Sequence, residues 1–332
     1  MRAQTLVALL AAPAALLAQR PTVGSIERLD PALDALIARD ARIEQLATGF
    51  QWAEGPVWRR QGGHLLFSDV PANTIYRWRE REGIDVYMRP SGYTGPTPAG
   101  RELGTNGLTV DLQGRLVVAD HGNRMIARVD ESKFTKTVLA RALDGRRLNS
   151  PNDLVYAENG SLFFTDPPYG LEKLNDDKAK ELPFNGVYHL SAAGLLSLIT
   201  RELSFPNGIA LSPDGSTLYV ANSDPERAIW MAYPVREDGS LGAGRVFFDA
   251  TPLVRQGKTG LPDGLKVDRA GNLFATGPGG VLVLSPEGKH LGTIVTGQPT
   301  GNCAFGDDGS TLYITANDRL LRVKLRTKGK VP

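Results

Sequence analysis

Beyond the first residues, apolar positions along this chain come in short runs rich in Val, Ile, Leu, Phe and Tyr, each closed off by Gly, Pro, Asp or Asn. Runs of that length and composition, bounded by turn formers, predict β-strands and hairpins. Helical spacing is confined to Leu33 to Arg42, the main helical candidate. The strands repeat one order of features: an oxygen-bearing polar residue, an apolar strand, a Gly-containing turn and a second apolar strand. Six copies can be read. The first three run from Glu54-Gly-Pro-Val-Trp to Leu65-Leu-Phe-Ser-Asp69, from Asn106-Gly-Leu-Thr-Val to Leu116-Val-Val-Ala-Asp120, and from Asn152-Asp-Leu-Val-Tyr to Leu162-Phe-Phe-Thr-Asp166. The others run from Asn207-Gly-Ile-Ala-Leu to Leu218-Tyr-Val-Ala-Asn222, from Asp263-Gly-Leu-Lys-Val to Leu273-Phe-Ala-Thr-Gly277, and from Asn302-Cys-Ala-Phe to Leu312-Tyr-Ile-Thr-Ala316.

The leading polar residues stand 39 to 56 positions apart, room for one four-stranded sheet per copy with loops of variable length. Repeats of this length read as propeller blades. One such sheet cannot bury both of its faces, so radial stacking must make the continuous core. The expected fold is therefore all-β, a six-bladed β-propeller over residues 42–326, with a sandwich or a two-domain all-β arrangement as the competitor. After the sixth hairpin only Leu320 to Leu325 reads as a strand, so Ile43 to Thr48 is the candidate to complete the last blade and close the ring with strands from both termini. Residues 20–41 read as an N-terminal extension with a short helix, and 327–332 as a C-terminal tail.

The innermost strand of each propeller blade lines the central channel, so a polar residue at one point of every copy forms a ring about the axis. That ring comprises Glu54, Asn106, Asn152, Asn207, Asp263 and Asn302, all with side-chain oxygens and none with an imidazole or thiolate. Converging polar groups are costly to bury unless something satisfies them, and a hard cation does so. Ca²⁺, which takes about 6–8 oxygen ligands in loose geometry, suits the set best. Zn²⁺ is disfavoured by the lack of His and Cys, and Mg²⁺ or Mn²⁺ are alternatives. Glu54 and Asp263 neutralise one dication, Asn152 and Asn207 complete the donor set, and Asn106 and Asn302 are weaker candidates for ligation. Taken singly, each Asn-Gly pair reads more simply as a turn. Six polar positions in phase, opened by a Glu, favour the ring.

Charge narrows the partners. Lys and Arg total 38 against 36 Asp and Glu, which gives no broad basic field for nucleic acid and no acidic tail. A small neutral or weakly charged ligand fits better. Met1 to Gln19 carries Arg2 and then the apolar run Leu6 to Leu17, ending among small residues in the manner of a signal peptide. A membrane-spanning helix needs about 20 apolar residues, and Pro13, Gln19 and Arg20 stop this run short. The reading is an exported protein, periplasmic or secreted, without stable membrane insertion; an uncleaved amphiphilic extension is the alternative. The single cysteine, Cys303, excludes an intramolecular disulfide and sits in an apolar strand, a core position rather than a nucleophile. Nothing in the sequence sets an oligomeric state.

Several segments, taken in order, carry a family resemblance. They are Glu54-Gly-Pro-Val-Trp, Thr105-Asn-Gly-Leu-Thr-Val-Asp, Asp120-His-Gly-Asn-Arg, Ser150-Pro-Asn-Asp-Leu-Val, Phe164-Thr-Asp-Pro-Pro-Tyr-Gly, Pro206-Asn-Gly-Ile-Ala-Leu-Ser-Pro-Asp and Pro262-Asp-Gly-Leu-Lys-Val-Asp. From about Gln45 to Lys324 the chain resembles the senescence-marker-protein-30, gluconolactonase and luciferin-regenerating-enzyme family, and its bacterial gluconolactonase-like members above all. The resemblance implies a six-bladed propeller with one functional divalent cation on Glu54, Asn152, Asn207 and Asp263. It also implies hydrolysis of a sugar lactone, with the metal polarising the carbonyl and Asp263 assisting the attack of water. Pure ligation by Asp263, with the base elsewhere, is the alternative. Animal members place an Arg just before the third-blade Asn to contact the sugar, where this chain has Ser150 and Pro151, so the particular lactone stays open.

Asn106, His121 and Tyr169 are the substrate-contact candidates. His121 follows a strand end and reads equally as a turn residue, while Tyr169, stiffened by two prolines before it, offers a sugar platform or simple packing. His64, His189 and His290 read as structural. The stretches Arg89 to Gly104 and Gly170 to Pro183 are long enough to cover the metal face of the channel. Two readings compete with lactone hydrolysis: a phosphotriesterase-like hydrolase on the same metal, and a secreted Ca²⁺- or sugar-binding propeller without turnover.

Overall fold

The computed structural model describes residues 20–96 and 100–332; the leader read at Met1–Gln19 lies outside them. Six antiparallel sheets account for nearly all of the regular structure. Blade 1 is Ala53–Arg59, His64–Asp69, Thr74–Arg79 and Gly83–Met88. Blade 2 is Thr105–Val110, Leu116–Asp120, Met125–Asp130 and Thr135–Ala140, and blade 3 is Leu154–Tyr156, Leu162–Asp166, Gly186–Leu190 and Leu196–Thr200. Blade 4 is Pro206–Leu211, Thr217–Asn222, Ile229–Pro234 and Arg245–Asp249. Blade 5 is Leu265–Val267, Leu273–Gly277, Gly280–Leu284 and His290–Val295. Blade 6 begins with Asn302–Gly306, Thr311–Ala316 and Arg319–Lys324, and its outer strand is Ile43–Thr48, paired antiparallel with Arg319–Lys324. The first strands of the six sheets touch one another in a closed circle, which makes them the channel wall of a six-bladed propeller.

Large apolar side chains fill the wedges between blades. Trp58 of blade 1 stacks on Tyr313 of blade 6 at 5.3 Å and 16°. Phe274 of blade 5 meets Phe305 of blade 6 edge-on at 5.4 Å. Cys303 is buried there, its thiol donates to the Phe274 carbonyl at 3.4 Å, and burial pushes its pKa up to about 12. A thiol held protonated in this way packs and does not attack.

The extension before the ring differs from its reading. Ser25–Arg28 forms a strand on the outer edge of blade 5, and the helix is a single turn, Leu33–Leu36, shorter than the spacing suggested. Ile37 is already extended, at φ −134° and ψ 121°. It is buried with Leu33 and Leu36 in a cluster that includes residues of blades 5, 6 and 1. One turn is below what helix propensity sustains alone, so packing sets its length. Among the described residues no helix is long and apolar enough to cross a membrane.

Candidate metal centre and active site

Several of the ring residues lie at irregularities of the strand ladder. Register breaks between Glu54 and Val57, between Thr105 and Leu108, and between Pro206 and Ile209. In blades 3 and 5 the paired strand starts at Leu154 and Leu265, just past Asn152 and Asp263. Glu54 still pairs with Ser68, and the Asn152 and Asp263 amides still donate to Thr165 and Thr276, so these residues stand where the ladder ends at one end of the channel wall. The following glycine lets the next blade approach: a β-carbon on Gly55 would lie 2.0 Å from the Asn106 carbonyl oxygen, and one on Gly208 2.1 Å from that of Asp263. The Asn-Gly pairs of blades 2 and 4 are therefore close-packing points on inner strands, not free-standing turns.

Glu54, Asn152 and Asn207 are buried, and Asp263 is half-buried. The Gly55 amide donates to Glu54 Oε2 at 2.9 Å. The Asn152 and Asn207 amides are in contact, Nδ2 of the first placed against Oδ1 of the second. His121, also buried, lies with Nε2 3.2 Å from Asn152 Oδ1 and Nδ1 2.8 Å from Glu102 Oε2. Both ring nitrogens thus lie within hydrogen-bond reach of protein groups. Asn106 is buried at the head of blade 2, its carbonyl accepting from Ser68 Oγ at 2.8 Å. Asn302 is occupied differently: its Oδ1 accepts from the Cys303 amide at 2.9 Å and lies 3.4 Å from Lys266 Nζ, and its Nδ2 lies 3.4 Å from Asp153 Oδ2. Its oxygen is committed away from the ring.

Electrostatics make the site demanding. Burial, then the Gly55 hydrogen bond acting against it, then the charge of Asp153 leave the Glu54 carboxyl raised to about 8. Burial, followed by the charges of Glu54, Asp153 and Glu102, holds Asp263 well above the usual carboxylate range. Lys266 reaches into this region but is directed to the Leu265 carbonyl at 3.0 Å and toward Asp153 at 4.0 Å. Among the described residues no group of three or more His, Cys, Asp and Glu side chains has metal-holding geometry. The candidate set is instead two carboxylates and two amides, hard oxygen donors whose uncompensated charge a divalent cation fits.

Tyr169 stacks on Phe205 at 5.9 Å and 15°. Its buried hydroxyl makes no well-formed hydrogen bond, though Ser223 and Asn207 lie close, and burial raises its pKa. The two long loops meet near His121: a β-carbon on Gly100 would strike the Gly170 carbonyl at 2.2 Å, and one on Gly170 would lie 3.2 Å from His121 Cβ. Glu102 and Lys266 are the site residues that the sequence reading missed. Glu102 lies in an irregular loop without periodicity, and Lys266 reads as one polar residue of a strand. The remaining histidines pack, His189 against Phe163 and His290 against Phe248 and Thr293, while His64 lies beside Tyr87. A cavity of about 910 Å³ over the outer strands of blades 1 and 2, with Phe134 and Lys136 in its lining, includes none of the ring residues.

The fold is a six-bladed propeller with oxygen-bearing side chains at the heads of its inner strands. The chain belongs to the SMP-30/gluconolactonase/LRE-like family, whose model matches residues 52–318. It is 43% identical over 320 residues to a gluconolactonase of Zymomonas mobilis, covering 93% of this chain and 88% of the relative. A solved structure from Xanthomonas campestris, described as a gluconolactonase important in glucose secondary metabolic pathways, aligns with a TM-score of 0.79 and 33% identity over 93% of this chain and 99% of its own. A pentonolactonase of Haloferax volcanii is 24% identical over 278 residues, 81% of this chain and 82% of the relative.

Proposed function

We propose that this protein hydrolyses a sugar lactone at a divalent cation, Ca²⁺ foremost, held by Glu54, Asn152, Asn207 and Asp263. The observation that carries the reading is the pair of acidic groups Glu54 and Asp263, each pushed toward its protonated form by burial and surrounding negative charge, beside the touching Asn152 and Asn207 amides at the heads of blades 3 and 4. Two positive charges would relieve that arrangement. The gluconolactonases at 43% and 33% identity support a lactone as the substrate class.

A bound cation would supply Lewis acidity to the lactone carbonyl and to the negative charge that develops on its oxygen. Asp263 takes a proton from the attacking water as the water oxygen bonds to the carbonyl carbon. It returns that proton to the ring oxygen as the ring C–O bond breaks, leaving the open-chain acid. Glu54, tied to the Gly55 amide, remains a ligand. The unpartnered Tyr169 hydroxyl and the Asn106 side chain are assigned to the sugar. The leader-like Met1–Gln19 supports export to the periplasm or beyond, which N-terminal sequencing of the native protein checks.

The test of the activity is opening of five- and six-membered aldonolactones before and after chelation, with Ca²⁺ added back. Metal-dependent turnover is expected. Faster cleavage of a phosphotriester would reassign the chemistry, and cation binding with no turnover on any lactone would leave a binding protein.

A further inference from the structure

We propose that the cavity between the outer strands of blades 1 and 2 binds a small organic polyanion, a cyclic molecule carrying two or more carboxylate or phosphate groups. The cavity measures about 910 Å³ and includes none of the polar residues that head the inner strands. Its charged lining is of one sign: Arg89, Lys136, Arg141 and Arg147, with no Asp or Glu among the described residues. The chain as a whole is nearly neutral, at +2, so this segregation is local. Lys136 is already engaged, since it pairs with the buried Asp120 and touches the Ser91 carbonyl. The nearby carboxylates are committed elsewhere: Asp120 to Lys136, Glu131 to Arg59 and the Tyr87 hydroxyl, and Glu181 to the Arg147 backbone amide at 2.7 Å. The three guanidiniums are exposed, and among the described residues their one hydrogen bond is a long one, from Arg147 Nη2 to the Asn123 carbonyl at 3.5 Å.

Guanidinium groups present a planar fork of donors that matches a carboxylate or a phosphate, and an anion between them relieves their mutual repulsion. They reach the cavity from three segments: Arg89 just after the outer strand of blade 1, Arg141 just after that of blade 2, and Arg147 from the hairpin beyond. Charges distributed in this way suit a ligand with more than one anionic group. The volume is that of a pocket for a whole organic molecule and far exceeds one inorganic anion. Phe134 points to a body with an apolar face. It lines the cavity, is 44% exposed and stands at φ 51°, a left-handed conformation that Gly or Asn adopts readily and a bulky residue rarely does. Neither turn chemistry nor exposure to water selects phenylalanine at such a position. Its ring meets Tyr87 edge-on at 5.5 Å and 85°, which braces it at the cavity wall as a surface for another ring. Thr94 and Thr135 add neutral hydroxyl groups to the same lining.

Two probes separate the anionic groups: trigalacturonate, which carries carboxylates, and fructose 1,6-bisphosphate, which carries phosphates. Each is titrated calorimetrically into the full chain in chelator, with inorganic phosphate and a neutral trisaccharide as controls. At least one probe should bind more tightly than both controls, with an affinity that falls as salt is added, and the preferred probe identifies the anionic group. Arg141→Gln and Arg147→Gln should each weaken that binding about 3–10-fold. Phe134→Asn, which suits a positive φ, should weaken it about 2–10-fold. Unfolding temperatures check that the variants fold. Failure of both probes to bind, or a control that binds as tightly, would overturn the proposal. So would unchanged affinity in a folded Arg141→Gln, Arg147→Gln double variant, because the probe would then sit elsewhere, the channel included. The lactone reading stands apart from these outcomes, since no variant touches the channel residues.

Discussion

Glu54 and Asp263 are both acidic and buried or half-buried, and the proposed mechanism gives them different work. Glu54 accepts from the Gly55 amide, and the Gly264 amide acts on Asp263 in the same sense. Asp263→Asn keeps an oxygen ligand and removes the base, which should lower kcat about 10²–10⁴-fold and resist rescue by excess Ca²⁺. Glu54→Gln should mainly weaken cation binding, and added Ca²⁺ should recover part of its rate. Recovery of full activity by Asp263→Asn at saturating Ca²⁺ would make that carboxylate a ligand only. The same two groups set a pH dependence. Because Glu54 is raised from 4.5 to about 8, the native cation-free protein binds more protons than the unfolded chain across that window. Stability in chelator should therefore be greatest below about pH 4.5 as far as this group is concerned, and fall as pH rises toward 8. Ca²⁺ should reverse the trend, with proton release on binding visible as a buffer-dependent calorimetric heat.

At the scale of the strand, the ring depends on glycine as much as on the polar residue before it. Gly208→Ala puts a methyl group against the Asp263 carbonyl, where backbone must shift. Overpacking of this kind costs about 1–3 kcal/mol, and because Asn207 precedes Gly208, Ca²⁺ affinity should fall with stability; a denaturant titration and a binding isotherm on one preparation check both. The polar–Gly–apolar pattern is what made the inner strands legible in the sequence, since it recurs in phase and each hairpin repeats the same alternation. Blades 3 and 6 depart from it, with Asp153 and Cys303 where the other four have Gly. Asp153 accepts from its neighbour's amide at Leu154 and approaches Lys266 and Asn302 across the channel, an interaction between blades that no local pattern encodes. Ser25–Arg28 was equally silent: a four-residue edge strand with one apolar side chain shows no alternation, and only the free edge of blade 5 draws it into a sheet. Glu102 was hidden for the same reason, since its partner His121 is brought to it by the path of a loop.

Across the whole molecule, segments from the two ends of the chain meet along one seam. Ile43–Thr48 lies against Arg319–Lys324, and Leu33, Leu36 and Ile37 fill the cluster behind it. Arg322 donates to Glu44 at 2.6 Å, pairs also with Glu80, and lies over the Trp78 ring at 5.8 Å, so the N-terminal segment, blade 6 and blade 1 share one side chain. The Glu44 carboxylate is 34% exposed, and ion pairs open to water contribute little, so burial supplies most of the seam's strength. Leu33→Ala should cost about 2–5 kcal/mol, while Glu44→Gln should cost less than about 1 kcal/mol. Removing residues 20–48 altogether takes away the outer strand of blade 6, the edge strand of blade 5 and this apolar plug. It leaves a three-stranded last blade with an open edge, so the truncated chain should unfold at a much lower temperature and tend to associate. Thermal unfolding with and without Ca²⁺ separates the two contributions to ring integrity. A cation bridging blades 1, 3, 4 and 5 should raise the unfolding temperature of the full chain, but it cannot replace the missing strand. A truncated chain that matched the full chain in chelator would show that the ring is held closed by contacts around the channel and not by the seam.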